Sequence, residues 1–143
     1  MGRRRAANVI AADTSALIAI VFDEPERAAF LDAVRTADRT LVSIVSALEA
    51  RMVVHGRKGQ RGVILLDDLL RQPIFELVSP DAREMEIAYG AFVTFGRGSG
   101  HPAALNFGDV FSYALAKSRG VPLLFKGDDF VHTDLQRVET SPP

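Results

Sequence analysis

The chain has 143 residues, 48% of them apolar and 24% charged, and 17 basic against 18 acidic side chains leave a formal net charge of −1. That length suits one domain with a substantial core, and so even a balance is not that of a protein that binds nucleic acid by bulk charge alone. There is no cysteine, which excludes disulfides, thiolate metal sites and a cysteine nucleophile and fits a reducing cytoplasm.

Met1-Gly2-Arg3-Arg4-Arg5 resembles the basic start of a signal peptide, and Ala6 to Phe22 is apolar, but Asn8 and Asp13-Thr14-Ser15 interrupt it. No clean span of roughly 20 apolar residues remains. A soluble, cytoplasmic protein without membrane association is expected, as one domain over 1–143 with flexible ends at 1–7 and 140–143.

Val9-Ile10-Ala11-Ala12 is an apolar run that reads as a buried strand ending at Asp13. Asp13-Thr14-Ser15 offers N-cap chemistry for a short helix through Phe22, and Pro25 suits the first turn of a second helix reaching about Val34. Thr40-Leu41-Val42-Ser43 is the next strand. A longer helix follows from about Val45 to Lys58, with Gly56 and Gly59 at its end, and then another over Gly62–Leu70. Ile74 to Val78 alternates as a strand, and Pro80 opens a helix to about Phe95.

The glycine-rich stretch from Gly96 to Pro102 reads as a loop. Ala103 to Arg119 reads as a helix, with Phe107, Val110, Phe111, Ala114 and Leu115 on one face and Gly120 as its stop. Val121–Phe125 is a strand, Lys126-Gly127-Asp128-Asp129 a turn, and Val138 falls in a possible short edge strand. Strands alternating with helices predict an α/β fold, a three-layer α/β/α sandwich about a mostly parallel sheet. Ligands of such sheets bind beyond the carboxyl ends of the strands.

Acids gather at that predicted edge. Asp13 closes the first strand, Glu49 lies one turn into the helix after the second, Asp109 opens the helix before the last, and Asp128 and Asp129 follow that last strand. Each also has an ordinary structural use. Asp13 suits an N-cap, Ser46-Ala47-Leu48-Glu49 matches a capping box, Asp109 suits the positive end of a helix, and Asp128 and Asp129 suit a turn. Glu49, however, shares a face with Val45, Leu48 and Met52, where a carboxylate needs a partner. These separate uses do not account for all the acids lying at one edge. Clustered carboxylates repel unless a cation joins them, and all-oxygen sites suit Mg²⁺ or Mn²⁺, which support phosphodiester hydrolysis.

Four stretches carry a resemblance: Val9-Ile10-Ala11-Ala12-Asp13-Thr14-Ser15-Ala16-Leu17, Ser43-Ile44-Val45-Ser46-Ala47-Leu48-Glu49, the run from Leu105 to Ala116, and Pro122 to Phe130. Together they resemble PIN domains, and among these the VapC-like toxins of type II toxin–antitoxin systems. The resemblance implies a Mg²⁺- or Mn²⁺-dependent endoribonuclease that acts on RNA, forms a homodimer and is blocked by a cognate VapB-like antitoxin. By motif, Asp13, Glu49 and Asp109 match the family's metal-binding acids, and Ser15 matches the hydroxyl residue that supports the first of them. Many relatives carry the fourth acid where this chain has Gly127. Asp128 is taken for that role, with Asp129 as the alternative, and Glu49 or Asp128 as proton acceptor. Asn106 is a supporting group or a helix cap.

Arg97, ahead of the helix that carries Asp109, and Arg57 and Lys58, near a helix end, are candidates for RNA phosphate contact; each is equally an ordinary solvated cation. Leu65, Leu66, Leu69 and Leu70 suit a dimer face or the core. Two other readings stand beside the ribonuclease: a non-catalytic PIN-like RNA-binding module and a structure-specific DNA nuclease.

Overall fold

A computed structural model of the chain describes residues 6–142. The basic start at 1–5 and the last residue of the expected flexible ends lie outside the described residues. Residues 6–7 and 140–142 are exposed and belong to no helix or strand.

Four short strands form the sheet: β1 (Val9–Ala12), β2 (Arg39–Ser43), β3 (Phe75–Val78) and β4 (Leu123–Leu124). Their order is β3-β2-β1-β4, and every pairing is parallel. The helices are α1 (Thr14–Val21), α2 (Arg27–Thr36), α3 (Ile44–Leu70), α4 (Ala82–Phe95) and α5 (Phe107–Arg119).

Alternation along the strands divides the core in two. Ile10, Ala12, Val42 and Leu124 pack with Leu17 of α1, Phe30 and Val34 of α2, and Val54 and Leu66 of α3. Ala11, Leu41 and Leu123 pack with Ala88 and Ala91 of α4 and Val110, Ala114 and Leu115 of α5. Helices on both faces explain why the strands read as continuous apolar runs, and they make the expected three-layer α/β/α sandwich.

Several boundaries differ from the sequence reading. The two helices expected over Val45–Leu70 follow one another within α3 across a break at Gly59, whose φ of 60° and ψ of −154° are not helical. Positive φ favours glycine there. The last helix starts at Phe107 rather than Ala103, because Asn106 and Asp109 form a reciprocal capping box that fixes the first turn. Leu105 instead pairs with the end of α4, its N–H on Phe95 O at 2.9 Å. The last strand is only Leu123–Leu124, and the tail runs along its outer side, with Val138 N–H on Leu123 O at 3.0 Å. This is an isolated bridge rather than a strand. After β4, a 3-10 turn spans Asp129–His132. Leu66 is core, whereas Leu65 is exposed. No described helix is long and apolar enough to cross a membrane.

The chain leaves β1 for β2 and β3 on one side and returns to β4 on the other. The end of β1 is therefore the point where the topology reverses, which opens a crevice beyond the carboxyl ends of the strands.

Candidate active site

Asp13 stands at that reversal. Its backbone N–H donates to Leu124 O at 2.9 Å, which seats it between β1 and β4. It is also the N-cap of α1: Oδ2 accepts from the Ser15 N–H at 3.0 Å. Its Oδ1 accepts from Ser112 Oγ of α5 at 2.6 Å. The side chain is buried, 3% exposed, yet each oxygen accepts one hydrogen bond and keeps a further lone pair.

Asp109 enters from the first turn of α5. Its Oδ2 accepts from the Asn106 N–H at 3.0 Å, and the Asn106 side chain accepts from the Asp109 N–H at 2.8 Å. The cap and the acid are thus one arrangement: the motif that starts the helix also aims the carboxylate. Burial is the main cause that pushes the Asp109 carboxyl from 3.8 up to about 7. The Asn106 backbone N–H pulls it down, and the negative charges of Asp13, Asp129 and Glu49 push it up.

Glu49 arrives from α3, whose N-cap is Ser43 and not Ser46. The capping box expected at Ser46–Glu49 is therefore absent: Ser46 already lies inside the helix, and its hydroxyl meets Ser112 Oγ at 2.9 Å. The buried side of α3 runs through Ser46, Ala50 and Val54, while Leu48 and Met52 are exposed. Glu49 is half-buried because its carboxylate lies over Gly108, where a Cβ would stand 2.3 Å from Oε2. Gly108 belongs to the first turn of α5, so Glu49 lies at a helix N-terminus that favours negative charge.

Of the two candidates for the fourth acid, the structure favours the alternative, Asp129, over Asp128 on electrostatic grounds. Asp128 precedes the 3-10 turn, whereas Asp129, its first residue, carries one of the charges that raise Asp109. Among the described residues, Asp13, Glu49, Asp109 and Asp129 form no ion pair with a basic side chain. Nor do three acidic or histidine side chains among the described residues enclose an ion site as they stand. Asp109 lies close enough to Asp13, Glu49 and Asp129 for their charges to act on it.

Ser15 donates through its backbone to Asp13, while its hydroxyl accepts from the Lys126 N–H at 3.0 Å and ties the exit of β4 to α1. Lys126 Nζ is itself held by Glu24 at 3.0 Å and Glu26 at 3.3 Å. Arg97 lines a groove with Tyr89, Asn106 and Phe107, adjoining the start of α5. Arg57 lies over the Phe22 ring at 5.4 Å, at the end of α1 away from Asp13. The eight residues of α1 separate that end from the acid by about 12 Å. Lys58 follows Arg57 on the same turn of α3. Sequence reasoning missed Ser46, Ser112 and Gly108 as parts of the site. The available signal was small and polar residues within one turn of an acid on the buried side of a helix.

The PIN domain profile matches residues 10–135 of the chain. This chain belongs to the PIN-domain family. The PIN-domain protein is 46% identical over 125 residues to Ribonuclease VapC28 of Mycobacterium tuberculosis and to VapC ribonuclease Mb0625 of Mycobacterium bovis, matches that cover 87% of this chain and 94% of each relative. Its identity to Ribonuclease VapC30 of M. tuberculosis is 45% over 126 residues, covering 88% and 95%. Within the PIN-domain family it therefore falls in the VapC group. Among solved structures, M. tuberculosis VapC20, described as a sarcin-ricin loop cleaving toxin, is similar with a TM-score of 0.75 at 18% identity, covering 94% of this chain and 99% of that one. VapBC-1 of nontypeable Haemophilus influenzae gives a TM-score of 0.71 at 18% identity, covering 92% and 97%. These likenesses agree with the PIN-domain fold described above.

Proposed function

We propose that this PIN-domain protein is a divalent-metal-dependent endoribonuclease, the toxin of a toxin–antitoxin pair. The observation that carries the reading is the set of acids gathered at the carboxyl edge without basic partners among the described residues, with Asp109 raised first by burial and then by the charges of Asp13, Asp129 and Glu49. Uncompensated carboxylates of this kind fit a hard cation, because oxygen donors and negative charge are what Mg²⁺ and Mn²⁺ take. Asp13 and Asp109 are the primary ligands in this reading, with Glu49 and Asp129 completing the set. Such an ion supplies Lewis-acid stabilisation of the phosphoryl group and a more acidic water.

The chain's own groups do the rest. The Ser15 N–H and the Ser112 hydroxyl hold the Asp13 carboxylate in one orientation. The Asn106 N–H holds one oxygen of Asp109. Glu49, half-buried over Gly108, and Asp129, on the exposed turn, are the candidate acceptors for the proton of the attacking water. Arg97, in the groove beside Asn106, is the candidate phosphate contact. The VapC relatives named as ribonucleases support RNA as the substrate. Relatives solved as VapBC assemblies support a VapB-like antitoxin as partner, and a homodimer and a cytoplasmic place of action belong to the same reading.

Parallel assays of the purified chain on structured RNA and on branched DNA, each with Mg²⁺ or Mn²⁺, test the substrate class. RNA cleavage is expected. Cleavage of the DNA alone, or RNA binding with no cleavage of either, contradicts the proposal.

A further inference from the structure

Two buried serines connect the three elements that carry Asp13, Asp109 and Glu49. Ser112 lies one turn beyond Asp109 on α5, and Ser46 one turn before Glu49 on α3; they are 1% and 0% exposed. Ser112 Oγ stands 2.6 Å from Asp13 Oδ1 and 2.9 Å from Ser46 Oγ. An ionised carboxylate only accepts, and a hydroxyl has one proton to give. Ser112 therefore donates to Asp13, and Ser46 donates to Ser112. Thr14 Oγ1 donates to the Ser46 carbonyl at 3.2 Å and joins α1 to α3 a second time.

Helix building does not call for either serine. Serine is a poorer helix former than alanine, and inside a helix its hydroxyl commonly turns back on the carbonyl one turn earlier. Here both hydroxyls point across to other elements instead. Alanine would fit either position with nothing added, so the oxygens are what the site gains.

We propose that Ser112, oriented by Ser46, is a positioning residue for Asp13. It fixes the plane of the Asp13 carboxylate and registers α3 and α5, the helices that carry Glu49 and Asp109, against the start of α1. This rests on the metal-dependent reading above. Groups that orient metal ligands in this way alter affinity by roughly ten- to a hundredfold when removed.

The test is Mn²⁺ affinity of the purified full chain, measured calorimetrically beside its melting temperature without metal. Ser112→Ala is expected to weaken Mn²⁺ binding by roughly tenfold or more while the melting temperature stays near wild type. Ser46→Ala is expected to weaken it less, and the double variant no more than Ser112→Ala alone, because Ser46 acts only through Ser112. Serines that serve packing alone would lower the melting temperature and leave the affinity of the folded chain unchanged. Wild-type affinity in Ser112→Ala overturns the proposal, as do fully additive losses in the double variant. Asp13→Asn separates the two levels of inference. If wild type binds Mn²⁺ no better than Asp13→Asn does, the metal reading fails and the positioning role with it; if Asp13→Asn loses binding while Ser112→Ala keeps it, only the positioning role fails.

Discussion

The carboxylate of Glu49 rests on the α-carbon of Gly108, so closely that a Cβ there would lie 2.3 Å from Oε2 and 2.7 Å from Oε1. The clash would fall on the far end of a flexible side chain, not on backbone. Gly108→Ala should therefore fold well, since alanine favours a helix over glycine by about 1 kcal/mol. Its cost should be functional: a carboxylate displaced by about an ångström can lower catalysis of the order of a hundredfold. Paired measurements of melting temperature and RNA cleavage check this. A large fall in melting temperature, or full activity, contradicts it.

Asp109 gives the metal-free protein a defined pH dependence. A carboxyl raised on folding favours the fold while it is protonated. That contribution is whole below its unfolded value near 3.8 and is lost as pH climbs through about 7. Asp109→Asn keeps an acceptor for the Asn106 N–H but cannot ionise. In EDTA, its melting temperature should exceed that of wild type by a margin that grows from pH 5 to pH 8, and Mn²⁺ should narrow the margin at pH 8 by stabilising wild type. A margin independent of pH contradicts the account.

The charge of Asp129 is among those that raise Asp109, which favours Asp129 over Asp128 as the fourth acid. Asp129→Asn should lower kcat/KM by at least about tenfold, a common contribution for a group of this kind. Asp128→Asn should lower it by much less. Equal losses, or a greater loss at Asp128, return the role to Asp128.

Arg97 shares a groove with Asn106, whereas Arg57 sits over Phe22 at the far end of α1. Arg97→Ala should raise KM for RNA severalfold with little change in kcat and should flatten the dependence of binding on salt. Arg57→Ala and Lys58→Ala should leave both constants near wild type. A selective KM defect in the latter pair contradicts this placement of the RNA path.

The fold was legible where one physical cause dominates. Apolar runs bounded by turn residues located β1, β2 and β3, and Gly59 located the break inside α3. The candidate site was legible in part, because a parallel sheet gathers whatever follows its strands at one edge; this is why Asp13, Glu49 and Asp109 could be expected near one another, as they are. Long-range contacts were not legible. Ser46 reads locally as the start of a capping box, yet Ser43 caps the helix and Ser46 reaches Ser112 instead. Periodicity extended α5 back to Ala103, because Ala103 and Leu105 are indeed buried, but the Asn106–Asp109 box decides where the helix begins. Asp128 and Asp129 are equivalent in composition, and a preference between them depends on the path of the turn after β4, which sequence does not give.

The most direct test is cleavage of RNA by the purified chain with Mg²⁺ or Mn²⁺, compared with excess EDTA and with Asp13→Asn, which keeps a residue suited to capping α1. The account predicts cleavage by wild type with metal, none in EDTA, and none by an Asp13→Asn protein that melts near the wild-type temperature. Undiminished cleavage in EDTA or by Asp13→Asn would contradict it.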